Sequence, residues 1–388
     1  MSNRLYYTDA YRTAFDATVT AVDGTRVRLA ETAFYPTSGG QPFDTGTLGG
    51  ARIIDVVDEA DEVVQVLEAA PAFGVGATVH GTIDWTRRFD HMQQHTGQHL
   101  LSAVFEDLIG AKTVSVHFGA QSATLDLDVE TVTRAEAARV EARANAVIAE
   151  NRAVAVSFED AASATGLRKP SDRTGDIRIV SIADLDRSAC GGTHVRATGE
   201  IGGLLVRRLE KYKKNTRVEF LCGARAIARA RADYEALTGM AAALSAGIDE
   251  LPALVAAQSE AIRSADSERR KLAEALAAFR ARDLYEAASP DAAGLRRIML
   301  LDTAVDDLRA IAHAVSAMPR AVFVGTCATP ATVVHAASKD AGVNAGAELK
   351  AALTAVGGRG GGNPTIAQGT VPTAEALATV ASLLAKTS

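Results

Sequence analysis

The stretch Arg87-Arg-Phe-Asp-His-Met-Gln-Gln-His95-Thr-Gly-Gln-His99-Leu-Leu-Ser-Ala-Val-Phe105-Glu-Asp-Leu108-Ile-Gly110 is where the chain changes its period. Leu100, Leu101, Val104, Phe105, Leu108 and Ile109 recur at helical spacing until Gly110 ends the run. A helix therefore carries His95 and His99. Imidazoles at i and i+4 lie on one helix face, close enough to share a metal ion.

Upstream, residues 1–87 read as short alternating segments such as Ala17-Thr-Val-Thr-Ala-Val22 and Thr25-Arg-Val-Arg-Leu29, broken at Asp23-Gly24 and Ser38-Gly39-Gly40. That pattern predicts a small β-barrel domain, with a sandwich as the other solution. Downstream, strand-like pieces at 113–117, 123–127, 153–158 and 178–182 surround an Ala/Glu/Arg-rich helix over 132–151, an α+β core spanning 88–222. Residues 223–287 are rich in Ala, Glu, Arg and Leu with a break at Ala246-Gly-Ile-Asp-Glu-Leu-Pro252, which predicts a helical hairpin. Over 288–388 the continuous apolar Ala321-Val-Phe-Val-Gly325 and Ala331-Thr-Val-Val-His335 predict buried strands of a small α/β domain. The expected class is α+β in four domains.

Composition fits a multi-domain globular chain. Of 388 residues, 47% are apolar and 23% charged, near the globular average, which argues against wholesale disorder. No run of about eighteen apolar residues occurs, and the N-terminus lacks a signal-peptide pattern, so a cytoplasmic protein without membrane contact is expected. The three cysteines, Cys190, Cys222 and Cys327, are few and widely spaced, which suits reduced thiols or a metal ligand. A net charge of −6 argues against indiscriminate nucleic-acid binding and leaves room for a local basic face.

A second ligand pair follows at Cys190-Gly-Gly-Thr-His194, where two glycines let a tight loop turn both side chains inward. His95, His99, Cys190 and His194 together make the ligand set of tetrahedral zinc, one ion per chain. The competing reading is a buried structural thiol beside unrelated histidines. Four protein ligands suit a structural site, whereas catalysis needs an exchangeable position. Either His194 is distant or labile, or zinc positions the substrate while an unliganded water attacks.

His95-Thr-Gly-Gln-His99-Leu-Leu followed by Cys190-Gly-Gly-Thr-His194 resembles the zinc signature of alanyl-tRNA synthetase editing domains and of their freestanding relatives, the AlaX alanyl-tRNA editing proteins. Phe34-Tyr-Pro-Thr-Ser-Gly-Gly-Gln-Pro-Phe-Asp-Thr-Gly46 is similar to that family's Gly-Gly-Gln segment. Gly357-Gly-Arg-Gly-Gly-Gly-Asn-Pro-Thr-Ile-Ala-Gln-Gly369 is similar to the glycine loop of the DHH-associated domain. The matches run in family order from Tyr35 to Gly369.

The resemblance implies the long AlaX form: barrel, zinc-binding editing core, helical hairpin and C-terminal DHH-associated domain. With no aminoacylation domain ahead of the barrel, it implies a hydrolase acting in trans on mischarged Ser-tRNA(Ala), with Gly-tRNA(Ala) as a further substrate. Serine needs such correction because an alanine pocket rejects a slightly larger isostere poorly. In resembling proteins the position of Thr96 hydrogen-bonds the seryl hydroxyl, so Thr96 is a candidate catalytic residue, a plain helix Thr being the alternative. Gln41 follows Gly39 and Gly40, which let the backbone approach a ligand closely, and its amide can donate and accept at an ester or ribose. His91, one turn before His95, is either an outer partner of the ligands or an exposed helix side chain.

Basic residues outnumber acids between Arg207 and Arg231, and Arg207, Arg208, Lys211, Lys213, Lys214 and Arg217 are candidate phosphate contacts, a solvated charged face being the alternative. The loop holding Arg359, Gly360, Gly361 and Gly362 could expose successive N–H groups to phosphate. The hairpin or the C-terminal domain is a candidate homodimer surface. Two rival functions stay open: a non-catalytic tRNA-binding zinc protein, and a metal-dependent phosphoesterase, which would want an Asp-His-His run that the chain lacks.

Overall fold

Buried and exposed side chains alternate along Ala14–Asp23 and Thr78–Ile83, as they do in strands with one face on a core and the other in water. In the computed structural model, which describes residues 3–59, 62–169 and 174–386, six strands follow one another around a barrel. Their order is Ala14–Asp23, Arg26–Leu29, Glu62–Leu67, Ala51–Glu59, Gly46–Leu48 and Thr78–Ile83, and the last closes antiparallel on the first. Closure leaves no free sheet edge. Phe15, Val27, Leu29, Phe34, Ile53 and Leu67 fill the interior.

Asp84 accepts a hydrogen bond from the Arg87 N–H and so opens helix α1 (Trp85–Ile109), which Gly110 ends in the left-handed conformation. The C-terminal half of α1 buries Leu100, Leu101, Val104 and Phe105 in a core shared with helix α2 (Arg134–Ala149). An antiparallel sheet ordered Leu204–Tyr212, Asn215–Cys222, Ala123–Leu127, Thr113–Phe118 completes that core. A second antiparallel sheet, Val154–Asp160, Asp176–Ile182 and Asp186–Ala189, runs straight into Cys190.

The chain divides into two compact units, Met1–Ala243 and Leu244–Ser388. Helix α3 (Gly223–Ala243) belongs with the first and helix α4 (Leu251–Ala287) with the second. The division falls inside the stretch 223–287 expected as one hairpin. No single described helix is long and apolar enough to cross a membrane.

The second unit is built on a five-stranded sheet ordered Arg296–Leu300, Ala321–Cys327, Thr332–Ala337, Ile366–Thr370, Arg359–Gly362. Only its first pair is parallel. Helix α5 (Val305–Ser316) and part of α4 share a core with one face, and helices α6 (Ala345–Ala355) and α7 (Ala374–Lys386) share a core with the other. Cover on both faces explains why Ala321–Cys327 and Thr332–Ala337 are buried throughout although they pair antiparallel.

Gly360, Gly361 and Gly362 form the edge strand of this sheet, not the expected loop. A Cβ on Gly360 would lie 2.3 Å from the Gly369 Cα, and one on Gly362 would lie 2.2 Å from the Ile366 carbonyl oxygen. The glycines are there so that two backbones can lie close. From Gly357 to Gly362 only Gly357 has positive φ, so the alternating conformations of an anion nest are not formed.

Candidate metal centre

Helix α1 presents His95 and His99, and the loop after Asp186–Ala189 brings in Cys190 and His194. The four ligand atoms lie within 4.8 Å of one another. Cys190 Sγ is 3.4 Å from His95 Nε2 and 3.3 Å from His194 Nε2. Donors placed about 2.0–2.3 Å from a tetrahedral zinc ion stand roughly 3.3–3.8 Å apart, so this set fits a divalent ion after a closure of about 1 Å at its widest pair. His194 is as near the thiol as His95 is, and is not the distant member of the set.

The far side of each ring fixes its orientation. His95 Nδ1 is 2.8 Å from Gln41 Oε1, His99 Nδ1 is 2.8 Å from Asp186 Oδ2, and His194 Nδ1 is 3.1 Å from Thr96 Oγ1. With the proton on Nδ1, each ring turns an Nε2 lone pair toward the shared point.

Gln41 reaches in from the barrel loop, its Nε2 donating to Thr193 Oγ1 at 2.7 Å and its Oε1 accepting from the Thr193 N–H at 3.1 Å. Thr96 is fully buried, and its hydroxyl accepts from the Val195 N–H at 3.1 Å. Both side chains expected to meet the substrate therefore also hold a ligand in place. Gly192 is required beside them, since a Cβ there would lie 2.1 Å from His95 Cε1. Gly39 and Gly40 turn the barrel loop with φ of +55° and +85°. Gly40 rests near Phe118, whose ring lies 5.1 Å from that of His95. The three histidines are buried and Cys190 only half-buried, so the site opens on the thiol side.

Two further residues escaped sequence reasoning. Asp186, four residues before Cys190, accepts from Arg168 Nε at 2.6 Å and from the Ser188 hydroxyl at 3.0 Å as well as holding His99. Arg178 is buried with no carboxylate partner among the described residues. Its Nη1 donates to the Cys190 carbonyl at 2.6 Å, its Nε to the Tyr7 carbonyl at 3.0 Å, and its own carbonyl accepts the Cys190 N–H at 3.0 Å. Neither residue carries a local pattern, because His99, Arg168 and Tyr7 lie far from them along the chain. His91 is buried, not exposed, and its Nε2 has no hydrogen-bond partner among the described residues. Burial, with help from Arg87, lowers its pKa to about 4.

Before metal uptake the donors differ in protonation. Burial disfavours a charged His99, but the hydrogen bond to Asp186 and the nearby Cys190 outweigh it and raise its pKa to about 9. Burial likewise opposes the Cys190 thiolate, yet the neighbouring His95 and His194 hold the thiol well below its usual range. His194 is lowered to about 3, by burial first and then by His95. Below pH 9 the proton on His99 competes with metal. Uptake near neutral pH is thus expected to release one proton, with affinity rising tenfold per pH unit to about pH 9 and then levelling. Asp186→Asn should lower affinity about 10–100-fold and move that plateau to lower pH. Calorimetry in buffers of different ionisation enthalpy counts the proton, and uptake without proton release would refute the assignment.

The candidate phosphate contacts lie on the hairpin formed by Leu204–Tyr212 and Asn215–Cys222. Arg207 pairs with Asp233, Arg208 with Glu210, Lys211 with Glu130 at 3.6 Å and Arg217 with Asp126 at 2.7 Å. Lys213 and Lys214, in the turn, make no ion pair among the described residues, and the Lys213 ammonium lies 5.3 Å from the Tyr212 ring centre. Arg359 is exposed at the edge of the second unit's sheet.

With this geometry in place, comparison with known proteins is informative. The model of the threonyl and alanyl tRNA synthetase second additional domain matches residues 177–219, and that of the DHHA1 domain matches 300–387. The alanyl-tRNA editing protein Aarsd1 of Danio rerio is 33% identical over 58% of this chain and 56% of its own length. The Bos taurus protein of the same name is 34% identical over 53% and 47%. An alanine–tRNA ligase of Pyrobaculum neutrophilum is 34% identical over 95% of this chain and 42% of its own length. The chain thus spans about half the length of these relatives. The C-Ala domain of Aquifex aeolicus alanyl-tRNA synthetase aligns over 23% of this chain and 89% of its own at 21% identity and a TM-score of 0.19, too slight to carry an argument.

Proposed function

We propose that this chain, a relative of alanyl-tRNA editing proteins and alanine–tRNA ligases that carries matches to the second additional domain and to DHHA1, hydrolyses mischarged Ser-tRNA(Ala), with Gly-tRNA(Ala) as a further substrate, at a zinc ion held by His95, His99, Cys190 and His194. The observation that carries this reading is the convergence of one thiol and three imidazoles, each imidazole held from behind by Gln41, Asp186 or Thr96. The reaction would take place in the cytoplasm, among charged tRNAs.

Zinc bound there would supply positive charge beside the ester carbonyl and the substrate's amino group. The protein's part is placement. Gln41 spends its oxygen on His95 and Thr193, which leaves one amide hydrogen for the substrate. Thr96 Oγ1 accepts from Val195 and His194 and keeps its own proton, the one group it can offer a seryl hydroxyl. Alanine has no such hydroxyl, so Thr96 would discriminate by a bond that only serine can complete. Of the candidate phosphate contacts, Lys213, Lys214 and Arg359 make no ion pair among the described residues, and phosphate contacts of this kind position an RNA without reading its sequence.

The test is incubation of the protein with seryl-, glycyl- and alanyl-tRNA bearing the alanine acceptor stem, as prepared, after chelation and after zinc is restored. Seryl-tRNA should be lost, alanyl-tRNA spared, and chelation should stop the loss reversibly. Survival of seryl-tRNA with zinc present would leave a tRNA-binding zinc protein in place of an enzyme.

A further inference from the structure

The sheet that delivers Cys190 has Val154–Asp160 as its outer strand, and Phe158 on that strand is 51% exposed. Strand pairing sets Phe158 directly opposite Arg178. The ladder continues to Cys190, whose N–H donates to the Arg178 carbonyl. Directly opposed residues of antiparallel strands send their side chains to the same face. Phe158, Arg178 and Cys190 therefore form one row, running from the edge of the sheet to the thiol. Asp186, which holds His99, belongs to the same face, since it stands opposite Ile182 and alternate positions of a strand share a face. Val180 and Ile182 on this face are buried, whereas Val156 and Phe158 at the edge reach water.

The row has the dimensions of a nucleoside. Neighbouring strands lie about 4.8 Å apart, so the Phe158 backbone stands about 10 Å from that of Cys190. A ribose ester placed at the metal centre would carry its base out over the edge strand. Arg178 lies between these two ends. Its Nε and Nη1 are committed to the Tyr7 and Cys190 carbonyls, and its Nη2 has no partner among the described residues. A guanidinium without a carboxylate partner favours a ligand that brings negative charge, as a nucleotide does through its phosphate.

Tyr7 is the other ring at hand, with its hydroxyl beside Gly191. The guanidinium carbons of Arg4 and Arg178 already lie 5.6 and 5.5 Å from its centre. Phe158 has no aromatic or cationic neighbour among the described residues, and its ring is half in water. We propose, on the premise that the ester cut here is that of a charged tRNA, that Phe158 is the platform on which the base of the terminal adenosine stacks, with Arg178 drawing in that nucleotide's phosphate. Stacking asks only for a base with a π-face, so the platform positions the 3′ end without reading the sequence.

Binding of an uncharged acceptor-stem microhelix tests the platform without any hydrolysis. Two probes are compared on protein supplied with zinc: the microhelix ending in adenosine, and the same RNA whose last ribose carries no base. Loss of the base should weaken binding to the unsubstituted protein about tenfold, and binding to Phe158→Ala less than about twofold. Phe158→Tyr, which keeps a ring, should restore the difference. Phe158 is half-exposed on an edge strand, so the circular dichroism of both variants should be unchanged. With seryl-tRNA, Phe158→Ala should raise KM about tenfold and leave kcat nearly unaltered. A base-dependent difference that needs Phe158, found in a protein that leaves seryl-tRNA intact, would uphold the platform and strike the enzymatic function. A penalty equal in Phe158→Ala and the unsubstituted protein, no penalty in either, or one abolished by Tyr7→Leu and not by Phe158→Ala would overturn the platform, whatever the fate of seryl-tRNA.

Discussion

Cys190→Ala is expected to lower zinc affinity about a thousandfold and to take seryl-tRNA hydrolysis down with it. Cys190 would be the one anion among the four proposed donors, since the other three would bind as neutral imidazoles. Around it the three histidines are buried, and the buried Arg178 guanidinium donates to the Cys190 carbonyl. Removing the thiolate leaves a divalent cation beside an unpaired guanidinium with no counter-charge in the ligand set. Breaking a buried ion pair by deleting one partner costs about 3–5 kcal/mol, which corresponds to two to four powers of ten in affinity. Three imidazoles remain, so the loss should be graded and not absolute. Cys190→Asp, which restores an anion of harder character, should recover part of it. Competition with a chromophoric chelator measures the affinity, and a value within tenfold of the unsubstituted protein would show that the thiolate is not a ligand.

Much of this centre was legible because its ligands come in two local pairs. His95 and His99 share a helix face by spacing alone, and Cys190 and His194 flank two glycines, so residue type and distance along the chain carried the reading. What holds the ligands was not legible. Asp186 meets His99 across 87 positions and Arg178 meets Tyr7 across 171, and no periodicity foretells such contacts. Thr96 and Gln41 were chosen for what their side chains could offer a substrate, and the structure shows most of that capacity spent on His194, His95 and Thr193.

The fold divides along the same line. Apolar alternation and helical spacing mark strands and helices wherever one face is wet, as along Ala14–Asp23 and the second half of α1. They fail where polar residues are buried. Arg88, His91, Gln93, Gln94 and Gln98 all lie inside, and polar side chains give no apolar spacing to mark the face they bury. Gln94 shows why this is tolerated: its amide donates to the Cys222 carbonyl at 3.0 Å and accepts from the Cys222 N–H at 2.9 Å, a reciprocal pair that leaves nothing unsatisfied. The glycines of 360–362 failed for the opposite reason. A glycine run reads as a turn, and the need for close backbone approach to Gly369 lies outside any local window.

Arg88→Met is expected to destabilise the first unit by about 3–5 kcal/mol, the range for deleting one partner of a fully buried ion pair. Arg88 and Asp44 are both 0% exposed, and Arg88 Nε lies 2.9 and 3.0 Å from the two Asp44 oxygens. The same guanidinium donates to the Ala10 and Ala33 carbonyls at 2.8 and 2.6 Å, so one side chain at the start of α1 pins three segments of the barrel end. Asp44 also accepts the Tyr35 N–H at 2.6 Å, which anchors the start of the Gly39-Gly40-Gln41 loop. Methionine fills most of the volume and answers none of these groups, leaving a buried carboxylate with only the Tyr35 N–H and two carbonyls without their Arg88 donors. Arg88→Met/Asp44→Asn removes the stranded charge while an amide oxygen still accepts from Tyr35, so the double variant should be more stable than the single one, a coupling that only a direct pair produces. The chain has a single tryptophan, Trp85, at the head of α1 with its ring 5.3 Å from Phe89 and 5.2 Å from Tyr11. Its fluorescence during denaturant unfolding therefore reports on this unit without interference from the other. Because Gln41 holds His95 from this loop, the single variant should also bind zinc more weakly well below its unfolding transition, whereas an unchanged affinity would show that the loop keeps its place without Arg88.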